Sequence, residues 1–242
     1  MTISQRRRLL LAGFATLPAA ALLSACSDDT EMTPVAETPV EAKPETPAPA
    51  PKPPVEVPEA KGKVDVAKLM EPGSLPEKTL GPDDAKVTVV EYLSMTCPHC
   101  AAFHERTWPA LKEKYVDTGK VRFVMREFPF DPRATAAFML ARCAEDNYFP
   151  MVDVLFKQQS NWARSEKPSE ELLKIARLAG FTQESFEACL TDDKLLADVN
   201  AMRDRGAKDF DVDSTPTFFI NGTRYSGDMS IEQMSAIIDP LL

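Results

Sequence analysis

Residues 91 to 104 read EYLSMTCPHCAAFH, and the order of residue types in that stretch decides the fold. It begins inside the run Val87 to Leu93 (VTVVEYL), which is β-branched and apolar enough for a central strand. After Cys97 comes Pro98, a residue suited to the first turn of a helix, where its missing N–H costs nothing. Cys97 and Cys100 thus form a C-x-x-C at a strand-to-helix junction. The first thiol meets unpaired backbone N–H groups and the positive end of the helix dipole, which favour a thiolate; the second lies one turn on and can close a disulfide with it. His99 adds a proton donor or positive charge beside the Cys97 sulfur. A thiolate pKa lowered by several units stabilises the reduced pair by about 4 kcal/mol or more and raises its potential by on the order of 100 mV. Such a pair oxidises other thiols.

Blander readings of the motif fare worse. Cys97, Cys100 and His104 have the spacing of half a zinc site, but tetrahedral zinc needs four ligands and the only other histidine, His99, lies inside the loop. Haem attachment needs histidine directly after the second cysteine, and Ala101 stands there. A loop this short also restricts the unfolded chain too little to be a useful staple. The expectation is a redox-active disulfide with no metal and no organic cofactor.

Working outward, the helix opened by Pro98 should kink at Pro109, with Trp108, Leu111 and Tyr115 on one face. Val121 to Phe128 alternates apolar and charged residues like a second strand. From Arg133 to Phe210 the pattern is helical almost throughout. Leu172, Ile175, Ala176 and Ala179 are spaced for one buried face, and Gly180 is placed to cap the end. Thr217 to Ile220 and Thr223 to Ser226 flank Asn221 and Gly222, a strong hairpin signal. Ser230 and Gln233 suit a capping box over Ile231, Met234, Ile237 and Ile238. The order is strand, helix, strand, helical block, hairpin, helix: an α/β domain over residues 63–242, with a helical insertion at about 133–210.

The rest of the chain is an address and a spacer. Arg6, Arg7 and Arg8 precede an apolar run from Leu9 to Leu23, the pattern of a secretory signal over residues 1–25, too short and interrupted for a stable span. Leu23, Ser24, Ala25 and Cys26 resemble the lipobox of bacterial lipoproteins, in which Cys26 is acylated and becomes the new first residue. The arginines also resemble a twin-arginine signal, although they serve equally as a plain basic start for the Sec route. Between Ser27 and Gly62 lie nine of the chain's 21 prolines, eight acids, three lysines and no aromatic residue, so residues 26–62 read as a disordered tether. Its reach is up to about 110 Å if extended, or roughly 30–40 Å as a coil. A net charge of −9 argues against a nucleic-acid binder, while 44% hydrophobic residues suffice for a packed core.

With EYLSMTCPHCAAFH, the runs REFPFDP (126–132) and TPTFFING (215–222) resemble the DsbA-like thiol:disulfide oxidoreductases of the thioredoxin-fold superfamily, over essentially all of residues 63–242. The resemblance implies a thioredoxin fold, a mixed central sheet flanked by helices, with an inserted helical domain. It makes Cys97 the exposed nucleophile that forms mixed disulfides and Cys100 the buried partner that resolves them, with Pro98 and His99 setting the redox poise. Pro216 matches a cis-proline packed against the active-site disulfide, and Thr215 offers its backbone to an extended substrate. Glu91 matches a buried acid that relays protons near the second cysteine; the alternative is a carboxylate reaching solvent.

Implied partners are reduced, unfolded secreted proteins and a DsbB-like membrane quinone reductase as reoxidant, in the bacterial periplasm, with the domain tethered by lipid on Cys26. Disulfide isomerase or reductase activity is the alternative within enzymes, since Thr215 is shared by several oxidant and isomerase branches of the superfamily. A non-catalytic thioredoxin-fold chaperone is the alternative outside them. Isomerases of this superfamily dimerise through a folded N-terminal domain, which the tether does not offer, so a monomer is expected. Cys143 and Cys189, 46 positions apart in the helical block, are expected to pair in an oxidising compartment, the alternative being two separately buried thiols.

Overall fold

The structure, a computed structural model, describes residues 55–242. The export segment, Cys26 and residues up to 54 of the proline-rich stretch lie outside the described residues. Five strands, β1 (Lys78–Leu80), β2 (Val87–Leu93), β3 (Val121–Glu127), β4 (Thr217–Ile220) and β5 (Thr223–Ser226), form one mixed sheet in the order β1-β3-β2-β4-β5. β2 is central, parallel to β3 and antiparallel to β4. All of its residues but Thr88 are buried, as a strand covered on both faces requires. β1, which no sequence pattern announced, pairs three residues along the outer side of β3. Three residues are too few for a period to show.

Parallel neighbours need a crossover connection. Here it is α2 (Pro98–Arg106), α3 (Trp108–Leu111) and a π-helical turn, Lys112–Val116. The break falls at Thr107 rather than at Pro109. Pro109 has no N–H for the carbonyl one turn before it, so the helix opens on that side, and the Thr107 hydroxyl donates instead to Met229 O at 2.8 Å. Trp108, Leu111 and Tyr115 are all buried.

Between β3 and β4 the chain runs through α4 (Pro132–Cys143), α5 (Tyr148–Lys157), α6 (Gln159–Trp162), α7 (Pro168–Leu178), α8 (Gln183–Leu190) and α9 (Asp193–Phe210). A disulfide joins Cys143, the last residue of α4, to Cys189 in α8, with Cα atoms 6.2 Å apart. Leu172, Ile175 and Ala176 form the buried face of α7, and Gly180, at φ +89°, follows its end. The larger core packs α2, α4 and α5 against one face of the sheet; a smaller one on the opposite face gathers Leu69, Val90, Tyr92, Val124, Phe128, Phe210 and Phe219. Leu69 comes from the short α1 (Val66–Leu69). α9 approaches the sheet at Gly206, where even a Cβ would lie 2.7 Å from the Tyr92 ring.

The hairpin turns at Asn221 and Gly222, with φ of +45° and +82°, as a type I′ turn demands. α10 (Ile231–Ile238) carries the Ser230/Gln233 capping box. The boundary drawn at Gly62 from composition falls inside a hydrogen-bonded segment. Lys61 N donates to Arg224 O at 2.8 Å, Arg224 N to Gly62 O at 2.9 Å, and Gln233 Nε2 to Glu56 O at 2.9 Å. An open sheet edge accepts a passing backbone through its own N–H and C=O groups, whatever side chains that backbone carries. No helix among the described residues is long and apolar enough to cross a membrane.

Candidate active site

Cys97 is the N-cap of α2, with Pro98 in the first helical position. Its side chain is half-buried, Pro98 and His99 are exposed, and Cys100 is fully buried one turn into the helix. Both sulfurs are free thiols. Hydrogen bonding from the Cys100 thiol, opposed by burial and reinforced by Thr215 and the backbone N–H groups of Cys100 and His99, brings the Cys97 pKa from an ordinary 9.0 down to about 5. Burial pushes the Cys100 thiol well above its ordinary value, and the neighbouring Cys97 sulfur and Glu91 carboxylate push the same way. The two sulfurs divide the labour: one ionises readily, the other holds its proton.

Opposite Cys97 lies the cis peptide bond between Thr215 and Pro216, just before β4. The Cys97 thiol donates to Thr215 O at 3.3 Å. A thiolate has no proton to give, and the Thr215 hydroxyl, buried and otherwise without a hydrogen-bond partner, is then free to donate to it. Gly227 N donates to Pro216 O at 2.9 Å and anchors this loop.

Glu91, in the middle of β2, is completely buried, and its two carboxylate oxygens lie 3.2 and 3.1 Å from His104 Nε2. His104 is buried too, stacked on Phe156 with ring centroids 4.5 Å apart. In the sequence His104 stands out only through its zinc-like spacing from Cys97 and Cys100. The signal available was its position four residues after Cys100, which puts both side chains on one face of α2.

Two further residues at the site carry no signal in the sequence. Gln159, the first residue of α6, donates through Nε2 to Met95 O at 2.8 Å and to Cys97 O at 3.0 Å, fixing the loop that carries Cys97. Asp131 caps α4 by accepting from Arg133 N and Ala134 N at 2.8 and 3.0 Å, and its other oxygen accepts from Thr96 Oγ1 at 2.5 Å. Both bonds cross between segments far apart in the chain, and no local motif marks such pairs.

A thioredoxin family model matches residues 74–240. Alpha-DsbA1 of Wolbachia pipientis, a solved structure, superposes with a TM-score of 0.67 at 32% identity, covering 72% of this chain and 94% of that one. The chain is a DsbA-like member of the thioredoxin family. A Rickettsia bellii relative named "Putative protein-disulfide oxidoreductase" is 42% identical over 165 residues, 67% of this chain but 63% of that protein's length. The DsbA-like fold extends to Bacillus subtilis BdbD, with a TM-score of 0.62 at 19% identity over 77% of this chain and 98% of that one. The mixed five-stranded sheet with its helical insertion is therefore the DsbA-like thioredoxin fold.

Proposed function

We propose that the protein is an exported thiol:disulfide oxidoreductase that donates a Cys97–Cys100 disulfide to thiols of unfolded secreted proteins. The observation that carries this reading is the asymmetry of the pair: a half-buried Cys97 with a pKa near 5 beside a buried Cys100 that favours its thiol. In the first step a substrate thiolate attacks Cys97 Sγ, the Cys97–Cys100 bond breaks, and a mixed disulfide forms. Cys100 leaves as a thiolate and takes up a proton. In the second step another substrate thiolate attacks the substrate sulfur of the mixed disulfide, and Cys97 leaves as a thiolate. Two electrons pass from the substrate to the pair. Because the better leaving group is the sulfur with the lower pKa, transfer runs outward to the substrate.

Glu91, buried in β2 and near enough to act on the Cys100 thiol, relays the proton that Cys100 takes up, with His104 bonded to its carboxylate. Thr215 presents its backbone to the extended substrate while the Cys97 sulfur reacts. The reoxidant is a quinone-linked membrane reductase of the DsbB kind, and the site of action is the bacterial periplasm, where lipid on Cys26 would hold the domain at the membrane. Oxidation of a reduced, unfolded protein should be catalysed by the wild type and abolished by Cys97→Ser. A reduction potential near that of thioredoxin, about −270 mV, would turn the reading towards a reductase. Activity intact in Cys97→Ser would remove the redox role altogether.

A further inference from the structure

β2 ends at Leu93 and α2 begins at Pro98, so Ser94 to Cys97 form a short turn between them. Cys97 N donates to Ser94 O at 3.1 Å, which closes the turn without engaging the Met95 carbonyl or the Thr96 hydroxyl. Those two groups and the Cys97 carbonyl all bond to the helical insertion. Gln159 Nε2 donates to Met95 O and to Cys97 O, and Thr96 Oγ1 donates to Asp131 Oδ2. Three successive residues are thus held by two side chains lying 35 to 64 positions further along the chain. Both side chains stand on firm supports. Asp131 also caps α4, and α6, which starts at Gln159, is seated by fully buried Trp162, whose Nε1 donates to Leu155 O at 2.9 Å.

This clamp acts unequally on the two redox forms. In the oxidised pair a covalent bond to fully buried Cys100 fixes the Cys97 sulfur whatever the turn does. In the reduced pair the sulfur keeps its place beside Thr215, the Cys100 thiol and the N–H groups at the start of α2 only as well as the backbone of the turn is held. Hydrogen bonds weaken steeply once distance and angle are lost, so a turn free to move disperses the donors that stabilise the thiolate. We propose that Gln159 and Asp131 are positioning residues of the thiol-exchange site, through which the helical insertion favours the reduced Cys97 and Cys100 pair over its disulfide. The inference rests on the thiol-exchange reading and adds to it two residues outside the C-x-x-C that set how oxidising the pair is.

The test equilibrates the full-length protein with glutathione buffers at pH 7 and follows Cys97 alkylation against pH in the reduced protein by mass spectrometry. The Thr96→Val/Gln159→Met double variant removes all three bonds and keeps side chains of similar size. Its equilibrium constant for reduction by glutathione should be about tenfold smaller than that of the wild type, a potential lower by about 30 mV. Its Cys97 midpoint should lie about one unit higher, the same tenfold seen in the proton equilibrium. Thr96→Ser, which keeps the hydroxyl, should stay at the wild-type values. A purely structural role lowers the urea midpoints of the oxidised and reduced forms together and leaves the constant and the Cys97 midpoint where they were; that result overturns the proposal. Should the double variant fail to fold, Gln159→Met alone carries the test, with a smaller shift in the same direction expected and no shift overturning the proposal. If the wild type neither exchanges with glutathione nor oxidises dithiothreitol, the thiol-exchange reading fails and the proposal with it, whereas exchange with unmoved values sinks the proposal alone.

Discussion

Replacing Cys100 by alanine tests what holds Cys97 as a thiolate. The thiol of Cys100 is the largest contributor to lowering the Cys97 pKa from 9.0 to about 5, ahead of Thr215 and the backbone N–H groups of the helix start. A fall of four units corresponds to about 5 kcal/mol between the two protonation states. Cys97 is partly open to solvent, which screens these contacts and brings the effective stabilisation to about 2–3 kcal/mol. A hydrogen bond to a charged acceptor is worth about 1.5–3 kcal/mol, so loss of the Cys100 S–H should raise the Cys97 midpoint by about 1–2 units. The assay is the rate of iodoacetamide alkylation against pH, with mass spectrometry confirming Cys97 as the modified residue. In the variant Cys97 is the only free thiol among the described residues, so the rate reports one group. An unchanged midpoint would refute the assignment of the shift to Cys100 and leave the helix N-terminus as its source.

A Cys97 pKa lowered on folding also couples redox state to pH. The reduced form gains stability over the oxidised form as pH rises from about 5 to 9, reaches its full gain above 9, and loses it below 5; urea unfolding of both forms across that range measures the difference, and a flat difference contradicts the lowered pKa. Serine at both Cys143 and Cys189 should cost about 4 kcal/mol of stability for a loop of 46 residues, read as a lower urea midpoint, and no loss would mean that the link is not made in solution. Glu91→Gln and His104→Gln should each destabilise by about 3–5 kcal/mol, while the double variant costs less than their sum; strict additivity in a double-mutant cycle would show that the two residues do not interact. Gly206→Ala, which drives a Cβ into the Tyr92 ring, should cost about 1–3 kcal/mol in the same unfolding assay.

The fold was legible wherever a period or a turn motif runs long enough to register. The seven residues of β2 carry a continuous apolar run, Asn221 and Gly222 specify the hairpin between β4 and β5, and the spacing of Leu172, Ile175 and Ala176 marks the buried face of α7. β1 and α1 are too short for any pattern, and the docking of residues 55–62 uses backbone groups that composition does not report. The break at Thr107 rather than Pro109 shows the same limit: proline announces that a helix is interrupted, while a hydroxyl bond to Met229, 122 residues away in the chain, decides where.

By itself the sequence determined which atoms are the candidates to react. Two cysteines three positions apart, on either side of a proline at a helix start, leave little choice of chemistry, because the N-terminal N–H groups, the dipole and the i to i+3 spacing are local properties of a helix. Tertiary structure decided the surroundings of those atoms. It set Thr215 against Cys97 from 118 residues away, closed Glu91 onto His104, and tied the Cys97 loop to Gln159 and Asp131 across the helical insertion. The physical reason is range: helix and turn preferences act within a few residues, whereas a buried polar group takes as its partner whichever group the packed core brings within about 3 Å.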